Sequence, residues 1–279
     1  MQKKLLILLS VFLTLDAFSI EPIDSIYETD PYFILMGEAD AAIENENWSE
    51  AAARLCDAIA VKPNNPSNAL LFNNLASVYI AMQQDSIALE TYNKALDIAP
   101  SMVTVLNGKG RLLLKIGRDY EAFDVFDNVL EIDSLNSTAR FYHGMMALYG
   151  GNLQIAESDF EVLNTVAPKS LDTAVALSAL YALTGRDSEA IPYLRQLIEQ
   201  DPAPEYYAQL AGCYLSMGQL FEASEIISDG FFNYPDDPEL YYYRAWLNRD
   251  RYLINDARAD AKKAIELGAT PAKVNALFE

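Results

Sequence analysis

The chain has 279 residues, long for a single compact core and ordinary for a repeat array. Apolar residues make up 51% and charged residues 22%, which is enough to fill an interior and excludes a chain disordered by composition. Forty acids against 20 bases give a net charge of −20, which repels nucleic-acid backbones and anionic lipid, so no nucleic-acid partner is expected.

Residues 1–19 read as a secretory signal peptide. Lys3 and Lys4 form a positive start, Leu5 to Leu15 is a run of apolar residues, Ser and Thr, and Ala17-Phe18-Ser19 has the small-x-small pattern of a cleavage site. The run is 11 residues, short of the roughly 20 that cross a bilayer, so no membrane span is expected after cleavage. Retention as an uncleaved anchor is the alternative. No Cys stands near the end of the segment, which argues against bacterial lipidation there. Residues 20–31 read as a loosely packed lead-in.

From residue 32 to 270 one pattern recurs. A marker Ala falls at 51, 88, 122, 156, 190, 223 and 257, in steps of 37, 34, 34, 34, 33 and 34. Twelve residues earlier stands a small residue: Ala39, Ala76, Gly110, Gly144, Ser178, Ala211 or Ala245. Twelve later comes Pro63, Pro100, Ser134, Pro168, Pro202, Pro235 or Ala269. Two helices approach closely only where side chains are small, and Pro stops a helix because it cannot donate a backbone hydrogen bond. Gly117, Gly151, Gly185 and Gly218 fall between the two helices of their units, where a positive φ is needed. The spacing predicts about seven helix pairs. The first has an insertion near Asn64-Asn65-Pro66, and the last shows Tyr252 where the turn glycine belongs. Residues 271–279, opened by Pro271, read as a capping helix.

The stretches Gly117-Arg118-Asp119-Tyr120-Glu121-Ala122 and Asp85 to Leu96 carry the pattern most plainly, and it resembles the tetratricopeptide repeat. The resemblance covers residues 32–270. It implies an all-α fold, a right-handed superhelical solenoid of antiparallel helix pairs, whose first helices line a concave groove where partners lie.

Chemistry for catalysis is thin. His143 is the one histidine and sits beside Gly144, where the repeat usually turns a Leu inward, so it is expected to be packed rather than catalytic. Asn107-Gly108-Lys109-Gly110 is expected inside a helix and is no phosphate loop. Cys56 and Cys213 fall in units too far apart for a disulfide and are expected to be buried thiols. No metal or cofactor is expected, and the chain is not expected to be an enzyme.

The register predicts which side chains meet a partner. They are Asn73 in the second unit, Asn107, Arg111 and Lys115 in the third, Phe141, Met145 and Tyr149 in the fourth, and Tyr242, Trp246 and Arg249 in the seventh. The amides and cations suit a peptide backbone or carboxylate, and the aromatics suit apolar side chains. The aromatics have a second reading as packing against neighbouring units or the cap. The resemblance also raises a chaperone-type carboxylate clamp, but Met36 and Asp40 stand where its first unit needs cations. The expected function is that of an exported scaffold or adaptor binding a protein or peptide. The alternative is a glycan-binding component of an envelope uptake system, with Trp246 and the tyrosines stacking on sugar rings. Residues 21–60 hold ten acids and one base, Arg54, while 241–279 hold seven bases and five acids, an asymmetry that allows weak self-association.

Overall fold

The computed structural model describes residues 29–279, so the signal segment and most of the lead-in lie outside the described residues. The fold is all-α, with fifteen α-helices and a closing 3₁₀ turn among the described residues. The chain divides into two compact units, one reaching to Ile116 and the other running Gly117–Glu279.

The first unit holds α1 (Pro31–Glu44), α2 (Trp48–Val61), α3 (Asn68–Ala81), α4 (Asp85–Ile98) and α5 (Val103–Lys115). Helices α1 and α2 pair, α3 and α4 pair, and α5 packs on α4 and α3. Helices end two residues before Pro63 and Pro100, as a residue barred from helix by the following ring must. The insertion after α2 is tied down by Asn68. Its buried amide donates to the Lys62 carbonyl at 2.7 Å and accepts from the Tyr32 hydroxyl at 3.0 Å. Asp30, assigned by sequence to a loose lead-in, is fixed. It caps α1 through the Tyr32 amide and pairs with Lys62, whose ammonium holds the carboxyl below its usual range.

The second unit opens with α6 (Asp119–Ile132) and α7 (Ser137–Tyr149), followed by α8 (Leu153–Val166), α9 (Leu171–Leu183) and α10 (Asp187–Gln200). It continues through α11 (Pro204–Ser216), α12 (Leu220–Asn233), α13 (Pro238–Asp250), α14 (Ile254–Glu266) and α15 (Pro271–Asn275), then the 3₁₀ turn Ala276–Phe278. Helices pair as α7·α8, α9·α10, α11·α12 and α13·α14, and each pair packs on the one before.

The seven marker alanines are fully buried, and their small partners in the first helices, from Ala39 to Ala245, are buried too. Gly144 shows why: a Cβ there would stand 2.5 Å from the Phe160 ring. Phe160 is fully buried and has no room to retreat, so Gly144→Ala is expected to cost about 1–3 kcal/mol by overpacking. Thermal melting checks this, and a variant as stable as the parent would mean that α7 and α8 have slack.

Each hairpin turn has one residue at positive φ. Gly117, Gly151, Gly185 and Gly218 fill it in four units, at +74°, +81°, +68° and +71°. Glu46, Gln83 and Tyr252 fill it in the others, so the backbone of the turn persists where the sequence marker is missing.

Candidate functional site

In the first unit, α3 and α5 present neighbouring faces, and α4 supplies a side chain from beneath. Ser77 lies one turn after Asn73 on α3, and its hydroxyl donates to the Asn73 carbonyl at 3.1 Å. Tyr92 rises from α4 and is buried, and Ser77 hydrogen-bonds its hydroxyl. Burial pushes the phenol up, while Ser77 and the Arg111 charge pull it back. Gly108 makes this possible, since a Cβ there would stand 2.7 Å from the phenol oxygen. The result is a polar strip of Asn73, Ser77, Tyr92 and Arg111. Arg111 is exposed and makes no ion pair among the described residues. Asn107 lies half-buried one turn before it. Lys115 is exposed and paired with Asp85 at 2.7 Å, which draws it toward the start of α4.

In the second unit, Phe141 and Met145 are half-buried against a cluster containing Leu148, Phe160 and Leu177. Phe141 also meets Tyr142 edge-on at 5.0 Å. Both residues are partly committed to packing. Tyr149, the last residue of α7, is 72% exposed and offers an open ring.

The aromatic residues of the seventh unit take the second of their two readings, packing against neighbours and the closing segment. Tyr242 is buried, with Lys273 of α15 standing 4.3 Å over its ring and Val274 and Leu277 in the same cluster, so it is a core residue rather than a partner contact. Arg249 donates to the Leu277 carbonyl at 2.9 Å and pairs with Asp250, so it anchors the closing segment. Trp246 donates to Asp250 at 2.8 Å, stacks on Tyr243 at 6.2 Å and lies 5.7 Å from the Arg249 guanidinium. A ring so surrounded is a poor open platform for a sugar.

One network went unread in the sequence. His143 is buried as expected, but its Nδ1 lies 2.6 Å from a carboxylate oxygen of Asp159, itself buried, and the other oxygen accepts from Arg140. Asp260 repeats the arrangement in α14, accepting two hydrogen bonds from Arg244 and one from Asn248. The thiols also differ from expectation. Both are free, but only Cys213 is buried, and burial pushes its thiol up to about 12. Cys56 is exposed.

Two family models, both for the tetratricopeptide repeat, match residues 36–102 and 171–204. Among solved structures, the chain is similar to a tetratricopeptide repeat protein from Parabacteroides merdae, 23% identical, with a TM-score of 0.63 over 89% of this chain and 97% of that one. It is also similar to PilF of Pseudomonas aeruginosa, 18% identical, with a TM-score of 0.68 over 77% of this chain and 97% of the other. YrrB, described as a tetratricopeptide repeat protein with an unusual peptide-binding site, is 19% identical, with a TM-score of 0.57 over 70% of this chain and 99% of its own. At such identities the structural likeness speaks for the fold alone. The repeat models and the register of buried small residues show that the chain carries tetratricopeptide repeats, in the fold that these structures share.

Proposed function

We propose that the chain is an exported scaffold that holds a peptide or an extended protein segment against its first-helix faces and catalyses nothing. The observation that supports this most is the polar strip on α3 and α5. A chain with a net charge of −20 keeps Arg111 exposed without a carboxylate partner among the described residues, beside Ser77 and a phenol hydroxyl that Gly108 admits. An unpaired guanidinium flanked by hydroxyl and amide groups matches the carbonyls and carboxylates of a peptide. Taken by itself, the second unit offers an exposed aromatic surface at Tyr149. Export rests on the charged, apolar and small-residue pattern of residues 1–19, and no described helix is long and apolar enough to cross a membrane.

The test is a random peptide display library selected on the purified chain. Selected peptides are expected to bind Arg111→Ala and Gly108→Ala more weakly by about 1–3 kcal/mol, the usual range for a hot-spot residue. Asp124→Ala, which removes an exposed charge from α6, is expected to change little. Failure to select any peptide, or equal binding by all three variants, would sink the proposal.

A further inference from the structure

Charge is sorted by helix in the first unit. Helix α1 carries three acids, Glu38, Asp40 and Glu44, and no base. Helix α3 carries no charged side chain. Helix α5 carries three bases, Lys109, Arg111 and Lys115, and no acid. The second helices mix the signs, with Arg54 among the acids of α2 and Lys94 among those of α4. The sorting therefore belongs to the first helices, whose faces carry the polar strip.

Part of this charge is used inside the fold. Arg54 of α2 holds Glu38 at 3.2 Å, and Asp85 at the start of α4 holds Lys115 at 2.7 Å. Asp40, Glu44 and Arg111 are exposed and make no ion pair among the described residues. Asp40 stands one residue after the small Ala39, Ser77 one after Ala76 and Arg111 one after Gly110, so the three share a register position on successive first helices. Ser77 and Arg111 both act on the Tyr92 phenol, which identifies that position with the strip. Tyr32 of α1 hydrogen-bonds Asn68 at the start of α3 at 3.0 Å, and α5 packs on α3, so the strip continues toward α1.

The acids of α1 stand uncompensated. Asp40 and Glu44 lie four residues apart, a spacing at which like charges destabilise a helix. Partial burial and the Glu44 charge hold the Asp40 carboxyl above its usual range. From residue 5 to residue 53 the sequence has no Lys or Arg, and Arg54 is already engaged with Glu38 and Glu50.

Resting on the peptide binding proposed above, we infer that the segment bound by the first unit is itself polarised: a Lys or Arg lies over Asp40 and Glu44, and an acidic side chain over Arg111. The backbone between them crosses Asn73 and Ser77, whose amide and hydroxyl suit uncharged peptide groups. Neighbouring packed helices lie roughly 8–10 Å apart, so two steps from α1 to α5 span on the order of 20 Å. An extended chain rises about 3.3 Å per residue, which sets the two charges about six residues apart. A segment of one sign throughout meets repulsion at one end, so this face discriminates against it.

Peptides selected from the random display library test this on the full chain. They are expected to carry a basic and an acidic residue about six positions apart. Asp40→Asn with Glu44→Gln is expected to weaken their binding about threefold to tenfold, less so above roughly 0.5 M salt, with helical circular dichroism and melting kept. Changing the basic residue of a selected peptide to Glu is expected to weaken binding at least about tenfold, and Asp40→Lys with Glu44→Lys to restore it. Changing the acidic residue to Lys is expected to be compensated in the same way by Arg111→Glu. Selected peptides that bind Arg111→Ala more weakly, but lack a basic residue or bind Asp40→Asn with Glu44→Gln as they bind the parent, would overturn the inference and leave peptide binding at the strip standing. Charge-swapped pairs that fail to recover binding would also overturn it. A library that yields no peptide would remove both.

Discussion

A chain ended after Tyr234, and so lacking α13, α14 and the closing segment, is expected to stay helical and lose solubility. Helix α13 covers the face that α11 and α12 present. Leu240 is fully buried against Tyr207 and Ala208, and Leu247 is buried in the cluster of Leu210, Cys213 and Ile227. Gly212 and Gly230 are small for this contact: a Cβ on Gly212 would stand 2.8 Å from the Tyr243 ring, and one on Gly230 would stand 2.9 Å from Leu240. Each large apolar side chain so uncovered forfeits about 1.5–3 kcal/mol of burial. The loss falls on one contiguous surface, which promotes aggregation. Repeats hold together through neighbouring interfaces, so the remaining pairs keep their helices. Size-exclusion chromatography with circular dichroism reads both outcomes. A truncated chain that elutes as a monomer and melts with the parent would show that α13 and α14 are an appendage.

What could be read in the sequence follows from where side-chain volume is constrained. Helix hairpins need a small residue at fixed intervals, and Ala51 to Ala257 kept that interval through the changes around them. The same register held information that went unread. Cys56 stands five residues after its marker, and its equivalents Asn93, Asp127, Glu161, Arg195, Ser228 and Lys262 are polar and exposed. Its exposure was therefore legible. Tyr92 stands four after its marker, where the other units have Leu, Phe, Ile or Ala, and a lone hydroxyl among apolar equivalents signals a polar neighbour. For Tyr242 the sequence left two readings open, partner contact or packing on the cap, and Arg249 was not legible in this way. Which holds depends on where residues 271–278 settle, and a closing segment outside the repeat has no register from which to place it. The Lys115–Asp85 pair was not legible either: a long cation is drawn to whichever carboxylate is near, and Asp85 lies thirty positions earlier in the chain.

Asp159→Ala is expected to be the costliest single substitution discussed, at about 3–5 kcal/mol, the range for removing one partner of a buried ion pair. The carboxylate is 2% exposed and joins three parts of the second unit. Arg140 donates to it and also to the Ser134 carbonyl, at 2.9 and 2.8 Å, at the position where most other units have the helix-stopping Pro. His143 shares the second oxygen, with its ring centroid 4.1 Å from that of Phe123. Alanine would leave the guanidinium and the imidazole facing a void without their acceptor. Asp159→Asn keeps polar atoms in that space and is expected to cost less, about 1–3 kcal/mol. Asp260→Ala provides the comparison, because Asp260 stands three residues after its marker, as Asp159 does, and pairs with Arg244. The Arg244 side chain is 38% exposed against 18% for Arg140, so it regains water when its partner is lost. Asp260→Ala is accordingly expected to destabilise less than Asp159→Ala. Urea unfolding of the three variants decides the order. If Asp159→Ala proves no worse than Asp260→Ala, burial does not set the cost, and the network around His143 is an ornament of a core that packing alone maintains.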